Sequence, residues 1–293
     1  MKRPDNWTII ALLQRTTHFF AEQNIESPRL DAELLLAFAL GIARIDLYLR
    51  HDQPLNPEEL DRFRALVKRR KDREPVAYIT GTKAFWDLDL VVSPEVLIPR
   101  PETECVVEEA LTFLKTYAGP PKRRILDLGT GSGAIALALA HSCPEDHVVA
   151  VDRSCQALAV AQGNCRRHDL QGRVGLVAGD WADMFSADQG RFDLIVSNPP
   201  YIPSREIDAL QPEISQYEPR MALDGGTDGL DGLRAIIRQA PKLLRSGGAL
   251  ILEIGHDQYP AVQRLAEACH AYRDIACRTD YAGLDRVAGM VHA

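Results

Sequence analysis

The chain has 293 residues, 46% hydrophobic and 26% charged, a globular balance that excludes a disordered chain and leaves room for two domains. Apolar runs such as Ala134 to Ala140 are far too short to span a bilayer, and Gln14 and Arg15 break the only candidate signal-peptide core. The formal net charge of −7 argues against a stand-alone enzyme for duplex nucleic acid, which needs a basic face.

A soluble cytoplasmic protein is expected, with no membrane contact. None of the six cysteines forms a C-x-x-C pair, so they read as free thiols. The histidines lack ligand spacing, and no metal is expected.

In chain order, Trp7, Ile10, Leu13 and Phe20 recur near helical spacing and predict a first helix. Ser27-Pro28 reads as an N-cap with proline at the first helical position, ahead of Asp31 to Leu40, with Gly41 as the stop. Asn56-Pro57-Glu58-Glu59 repeats that device with a capping-box glutamate and opens a helix to about Arg73. The basic end of that helix, Lys68, Arg69, Arg70, Lys71 and Arg73, suits the negative pole of a helix dipole and reads as a solvated face. Val76, Tyr78 and Ile79, then Phe85, Trp86, Leu88 and Leu90, predict two strands around Thr80-Gly81-Thr82. The expected division is a helical domain over residues 1–74, a β-hairpin linker over 75–95 and a catalytic domain over 96–293.

Beyond Pro101 the pattern alternates. Helices are predicted over 102–117, 134–141, 157–167 and 230–244. Strands are predicted over 124–128, 148–151, 174–177, 192–196 and 249–254. That alternation argues an α/β fold with a parallel sheet covered by helices. Residues 272–277 and 286–291 predict a terminal antiparallel pair.

Strand 124–128 runs into Gly129-Thr130-Gly131-Ser132-Gly133, where glycines let a backbone approach a ligand and a helix N-terminus follows. Asp152, at the tip of the next strand, is placed to bind the two hydroxyls of a ribose. Read from Gly131 the loop also fits G-x-G-x-x-A, so a dinucleotide oxidoreductase and an S-adenosylmethionine enzyme are both open here. Asp127, where it can meet a cationic amino group, and Asp180-Trp181, an acid and a ring for an adenine, lean toward S-adenosylmethionine.

Strand 192–196 delivers Asn198-Pro199-Pro200-Tyr201, and ligands in open α/β sheets sit at such strand ends. A planar NH2 group attacks poorly because its lone pair is delocalised. Asn198 Oδ1 and the Pro199 carbonyl can accept its two N–H bonds, orient the nitrogen and stabilise the charge that develops. Tyr201 can lie against its flat face. Asn198, Pro199 and Tyr201 are therefore the candidate catalytic residues, with Pro200 completing a rigid substrate-binding loop. A binding module without chemistry would not need that acceptor set.

Further stretches carry a resemblance: Glu74 to Gly81, Phe85-Trp86, Ile98-Pro99-Arg100-Pro101-Glu102-Thr103-Glu104 and Glu218 to Gly226. With these and the two loops, nearly the whole chain resembles the HemK/PrmC family, the peptide chain release factor N5-glutamine methyltransferases. The resemblance implies a class I S-adenosylmethionine-dependent methyltransferase (Rossmann-like) domain, with a small N-terminal helical domain joined by a β-hairpin. It implies S-adenosyl-L-methionine as cofactor, held by Gly129, Thr130, Gly131, Ser132, Gly133, Asp152, Trp181 and Asn198. The implied substrate is the Gly-Gly-Gln glutamine of class I release factors, held by Asn198, Pro199, Pro200 and Tyr201, with consequences for translation termination. A monomer that binds no nucleic acid directly is expected, with its N-terminal helices and hairpin, and the Lys68 to Arg73 cluster they carry, on the release factor. The alternative is a nucleic-acid methyltransferase acting on adenine N6, cytosine N4 or guanine N2.

Overall fold

The computed structural model describes residues 7–185 and 192–293. The chain divides into two compact units: the chain up to Gly81 with Pro212–Tyr217, and Thr82–Gln211 with Glu218–Ala293.

The first unit is built from helices α1 (Ile9–Glu22), α2 (Pro28–Leu40), α3 (Asp46–Leu49), α4 (Pro57–Lys71) and α5 (Val76–Thr80). Ile9, Leu13, Phe20, Leu35, Leu36 and Phe63 form its core, each at most 2% exposed and each contributing on the order of 1.5–3 kcal/mol by burial. The predicted capping box forms: Asn56 Oδ1 accepts from Glu59 N at 2.9 Å and Glu59 Oε2 from Asn56 N at 2.8 Å. Gly41 ends α2 in the left-handed region at φ 66°. Ser27 precedes α2 but makes no side-chain cap bond.

Two expectations are corrected in this unit. Residues 76–80 are a helical turn rather than a strand. Pro75 supplies a fixed φ before it, and Gly81 closes it at φ 74°. The basic end of α4 is only in part a solvated face: Lys68, Arg69 and Lys71 are exposed, but Arg70 and Arg73 are not. Arg70 is 5% exposed, with Nε on Asp31 Oδ2 and Nη2 on Glu213 Oε1, both at 2.7 Å. Arg73 Nη2 holds the other Glu213 oxygen at 2.8 Å, and Arg69 pairs with Glu74. Only Lys68 and Lys71 of the two-lysine, three-arginine group are exposed without an ion pair among the described residues. Glu213 arrives on a short helical turn, Pro212–Ser215. Burial opposes its ionisation, but the two arginines outweigh that and hold its carboxyl below the usual range.

The second unit begins with an antiparallel hairpin, β1 (Thr82–Phe85) and β2 (Leu88–Val91), which turns at Trp86-Asp87 rather than at residues 80–82. A 3₁₀ turn, Pro101–Thr103, leads into α6 (Glu104–Thr116). Then follow β3 (Arg124–Leu128), α7 (Ala134–Ser142), β4 (His147–Asp152), α8 (Cys155–Arg167), β5 (Val174–Ala178) and β6 (Phe192–Ser197). A helix Asp231–Gln239, β7 (Leu244–Glu253), a helix Tyr259–Cys269, β8 (Tyr272–Thr279) and β9 (Asp285–His292) complete the chain. The helix at 259–269 is absent from the sequence reading.

Seven strands form one sheet in the order β5-β4-β3-β6-β7-β9-β8, parallel through β7 and antiparallel beyond it. Period-two alternation sends Ile125 into a core with Val106 and Leu137, and its neighbour Leu126 into a second core with Leu233 and Ile236. Phe85, Leu88 and Leu90 of the hairpin are buried in the first of these cores. Asn164, fully buried on α8, accepts from Val91 N at 2.7 Å and donates to Val91 O at 3.0 Å and Ser132 O at 2.9 Å. It ties the hairpin to the glycine loop. The chain leaves β3 toward β4 on one side while β6 lies on the other, and such a reversal opens a crevice at the strand C-terminal ends.

Candidate active site

The glycine loop leaves β3 at Leu128. Gly129, Gly131 and Gly133 have φ of 73°, 56° and 87°, a region costly for residues with a Cβ. Gly129 N and Thr130 N both donate to Val151 O at 2.9 Å. Asp152, closing β4, accepts from Gly131 N at 2.8 Å through Oδ2 and from Ser154 N at 2.9 Å through Oδ1. Each oxygen keeps a lone pair for an incoming hydroxyl.

Asp127 lies beneath the loop. Its Oδ2 accepts from Thr130 Oγ1 at 2.6 Å and Ala136 N at 3.2 Å. Its Oδ1 is buried with no hydrogen-bond partner among the described residues. Burial pushes this carboxyl up to about 7, against those two bonds. Thr130, Ser132 and Gly133 are buried in the loop itself and shape it from within.

Over the loop opens a cavity of about 260 Å³ whose wall includes Gly129, Gly131, Asp152, Trp181, Asn198 and Pro200. Of the residues expected to hold a cofactor, Gly129, Gly131, Asp152, Trp181 and Asn198 therefore share one wall. Gly232, which no sequence motif marks, makes room by its lack of a side chain for two of the predicted residues. A Cβ there would lie 3.2 Å from both Pro199 Cβ and Trp181 Cζ2. A larger hollow of about 890 Å³ in the first unit runs along Trp7, Leu12, Phe19, Leu60 and Phe63 of α1 and α4. Its polar lining is Gln14, Arg15, Thr16, His18, Glu22 and Arg64, without a glycine loop or a strand tip beside them.

The wall carries Glu95, Asp152, Asp180, Asp224 and Asp231 against one cation, Arg153. An acidic wall repels a dinucleotide's pyrophosphate and favours a ligand with a sulfonium and an ammonium. Beneath the loop, the Asp127 oxygen without a hydrogen-bond partner among the described residues is a further acceptor. The residues present thus fit S-adenosylmethionine: Asp152 for its ribose, Trp181 and Asp180 for its adenine, and Gly129 and Gly131 for close backbone approach.

At the tip of β6, Ser197 Oγ donates to Leu128 O at 2.6 Å and joins this strand end to the root of the glycine loop. Asn198 Nδ2 donates to Thr103 Oγ1 at 3.1 Å. The Tyr201 hydroxyl donates to Glu253 Oε1 at 3.1 Å, and its carbonyl accepts from Gln258 Nε2 at 2.9 Å. Burial, then the Glu253 charge, raises the Tyr201 hydroxyl well above its ordinary range, so it stays a neutral phenol. Ile202 N donates to Leu223 O at 3.1 Å and Gly225 N to Ile202 O at 2.9 Å, so the 218–226 stretch pins the tetrapeptide from outside.

Arg100 pairs with Glu218 and donates to Ile98 O, while Glu218 Oε2 accepts from Ile98 N at 3.2 Å. Glu104 accepts from Trp86 N at 2.9 Å. The Ile98 to Glu104 stretch is a braced support beside Asn198, a role its sequence left open.

Residues 11–81 match the PrmC N-terminal domain and residues 109–216 the methyltransferase small domain. In fold the second unit's architecture has a counterpart in the hMettl16 catalytic domain, solved in complex with the MAT2A 3′UTR hairpin 6. That likeness has a TM-score of 0.56 and 15% identity, over 80% of this chain and 82% of that one. The release factor glutamine methyltransferase of Chlorobaculum tepidum is 43% identical over 96% of both chains. The protein of the same name from Geobacter sulfurreducens is 48% identical over 98% of both. With that identity across essentially its full length, and with a cofactor cavity and an Asn-Pro-Pro-Tyr loop at adjacent strand tips, this chain belongs to the release factor glutamine methyltransferase family.

Proposed function

We propose that this chain transfers a methyl group from S-adenosylmethionine to N5 of the glutamine side chain in the Gly-Gly-Gln motif of class I peptide chain release factors, and so modulates translation termination. The observation that carries the reading is the commitment of Asn198 Nδ2 to Thr103, which leaves Oδ1 as an acceptor at the cavity wall.

The cofactor supplies an electrophilic methyl on a sulfonium. The protein positions and polarises the amide. Asn198 Oδ1 and the Pro199 carbonyl accept the two N–H bonds, which holds the NH2 plane and draws positive charge toward the oxygens as the N–C bond forms. The Tyr201 ring lies against the flat amide face. The raised hydroxyl of Tyr201 is no base at neutral pH, and none is needed before attack, because the surplus proton leaves after methyl transfer. Asp152 anchors the ribose hydroxyls.

The same acceptor pair would serve an exocyclic amine of adenine, cytosine or guanine. Relatives that carry the release-factor name over nearly the whole chain, with a net charge of −7, favour the protein substrate. The reading includes a monomer working in the cytoplasm, where release factors act, with the helical unit contacting the release factor. Arg70 and Arg73 are tied to Glu213, so of the basic end of α4 it is the exposed Lys68 and Lys71 that offer charge for that contact. Among the described residues no helix is long and apolar enough to cross a membrane.

The test is mass spectrometry of an unmodified release factor after incubation with the protein and S-adenosylmethionine. One methyl is expected on the Gly-Gly-Gln glutamine. Asn198→Ala is expected to lose at least about 100-fold in rate while still binding cofactor. No methyl from a cofactor-binding enzyme would overturn the reading.

A further inference from the structure

Two prolines leave Asn198-Pro199-Pro200-Tyr201 without N–H donors at its centre, so the loop depends on donors that reach its carbonyls from outside. The Tyr201 carbonyl meets one buried side chain. Gln258, 8% exposed, stands at the N-cap position of the helix Tyr259–Cys269 but makes no side-chain cap bond there. Ser, Thr, Asp and Asn are the side chains that cap well at such a position. Gln258 directs its amide elsewhere. Nε2 donates to Tyr201 O at 2.9 Å and to Gly229 O at 3.2 Å, and Oε1 accepts from Gly255 N at 2.8 Å.

The polarity of this clamp is fixed. The Gly255 N–H is a donor and can face only the oxygen end of the amide. The NH2 end is left with the two carbonyls, and both its hydrogens are used. A flipped amide would set its oxygen against two carbonyl oxygens in a buried site. Two glycines bring a further backbone stretch against the same loop. Gly229 has a φ of 77°, and a Cβ there would lie 2.4 Å from Tyr201 O, while a Cβ at Gly225 would lie 2.8 Å from Pro200 O. The Tyr201 hydroxyl is held separately, by Glu253 Oε1 at 3.1 Å. Ring and backbone of this residue therefore have different anchors.

We infer that Gln258 is a positioning residue for methyl transfer: by tying the Tyr201 carbonyl to Gly229 and Gly255 it fixes the end of the tetrapeptide, and with it the aim of the Pro199 carbonyl and the Tyr201 ring at the substrate amide. This rests on the reaction proposed above. Gln258 is not part of the wall of the cofactor cavity, so its loss falls on methyl transfer and not on cofactor binding.

The experiment is steady-state methylation of an unmodified release factor by the full chain, well below the melting temperature, with cofactor affinity by calorimetry and folding by thermal melting. Gln258→Met keeps the length of the side chain and removes all three hydrogen bonds. It is expected to lower kcat about 10- to 100-fold, the scale of a misaligned reacting group, with KM for the release factor and cofactor affinity within about threefold of wild type. Gly229→Ala pushes on the same Tyr201 carbonyl without touching Gln258 and is expected to lower kcat by a similar factor. It carries the test should Gln258→Met fail to fold. Leu114→Ala, at a buried position in the core around Ile125, controls for lost stability and is expected to lower Tm while keeping kcat within about twofold of wild type. Wild-type kcat in folded Gln258→Met or, where that variant does not fold, in Gly229→Ala would overturn the inference and leave the proposed reaction standing. So would a Leu114→Ala that loses as much kcat as Gln258→Met. A wild type that binds cofactor but does not methylate the release factor would overturn both.

Discussion

Asp127 makes the protein's stability depend on pH and on its ligand in a direction that can be worked out. Its carboxyl is 1% exposed, with one oxygen bonded to Thr130 and Ala136 and the other without a hydrogen-bond partner among the described residues. Burial raises it from 3.8 to about 7. A raised carboxyl adds stability that is fully present below the unfolded value and lost as pH rises through the folded one. The apoprotein is therefore expected to lose stability between about pH 4 and pH 8, by on the order of 4 kcal/mol for this group at full ionisation. Glu253, also pushed up to about 7 by burial, adds a loss of the same sign. In Asp127→Asn the charge is gone, but a buried NH2 without an acceptor costs about 1–3 kcal/mol. The variant is expected to be slightly less stable than wild type at pH 5, by under about 1 kcal/mol, because the wild type has by then lost about 1.6 kcal/mol, and more stable at pH 8 by about 2 kcal/mol. The difference at pH 8 corresponds to roughly 4–8 °C in Tm for a unit of this size. The assay is thermal unfolding of both apoproteins across pH 5 to 8. Parallel profiles, with no crossing, would refute the burial argument. At pH 8 the variant is also expected to bind S-adenosylmethionine more weakly, because the acceptor for a cation is lost.

Asn164→Ala removes three hydrogen bonds between α8, the hairpin and the glycine loop. It is expected to cost about 3–4 kcal/mol by chemical denaturation and to weaken cofactor binding in calorimetry. Unchanged affinity would show that the loop holds its shape without Ser132's partner. Arg70→Ala strips Asp31 of its ion pair and leaves Glu213 with Arg73 alone among the described residues. It is expected to destabilise by about 3–5 kcal/mol, whereas the exposed Lys71→Ala changes stability by less than about 0.5 kcal/mol. Equal effects of the two would contradict the buried cluster.

The local signals that proved readable share one property: each is satisfied by near neighbours in the chain. The capping box at Asn56 to Glu59, the proline start of α2 and the glycine stop at Gly41 need only a turn of helix. The strands before the glycine loop and the tetrapeptide announce themselves by short apolar runs that lead into Gly129 and into Asn198-Pro199. Short apolar runs failed for the complementary reason. Residues 76–80 carry no period that separates a strand from a helical turn, and their neighbours in the fold decide. The helix at 259–269 does carry a local signal, since Val262 and Ala266 are spaced as one buried face and Pro260 stands in its first turn.

The sequence by itself determined the chemistry: the glycine loop, Asp152, and the acceptor tetrapeptide at Asn198 to Tyr201, each a motif whose function follows from contiguous atoms. Only the tertiary structure decided what surrounds them. Ser197 against Leu128, Thr103 against Asn198, Glu253 against Tyr201, and Arg70 against Asp31 and Glu213 all join residues far apart in the chain. No local period marks such pairs. They exist because a buried polar group must find a partner, and which partner is within reach is settled by strand order and register.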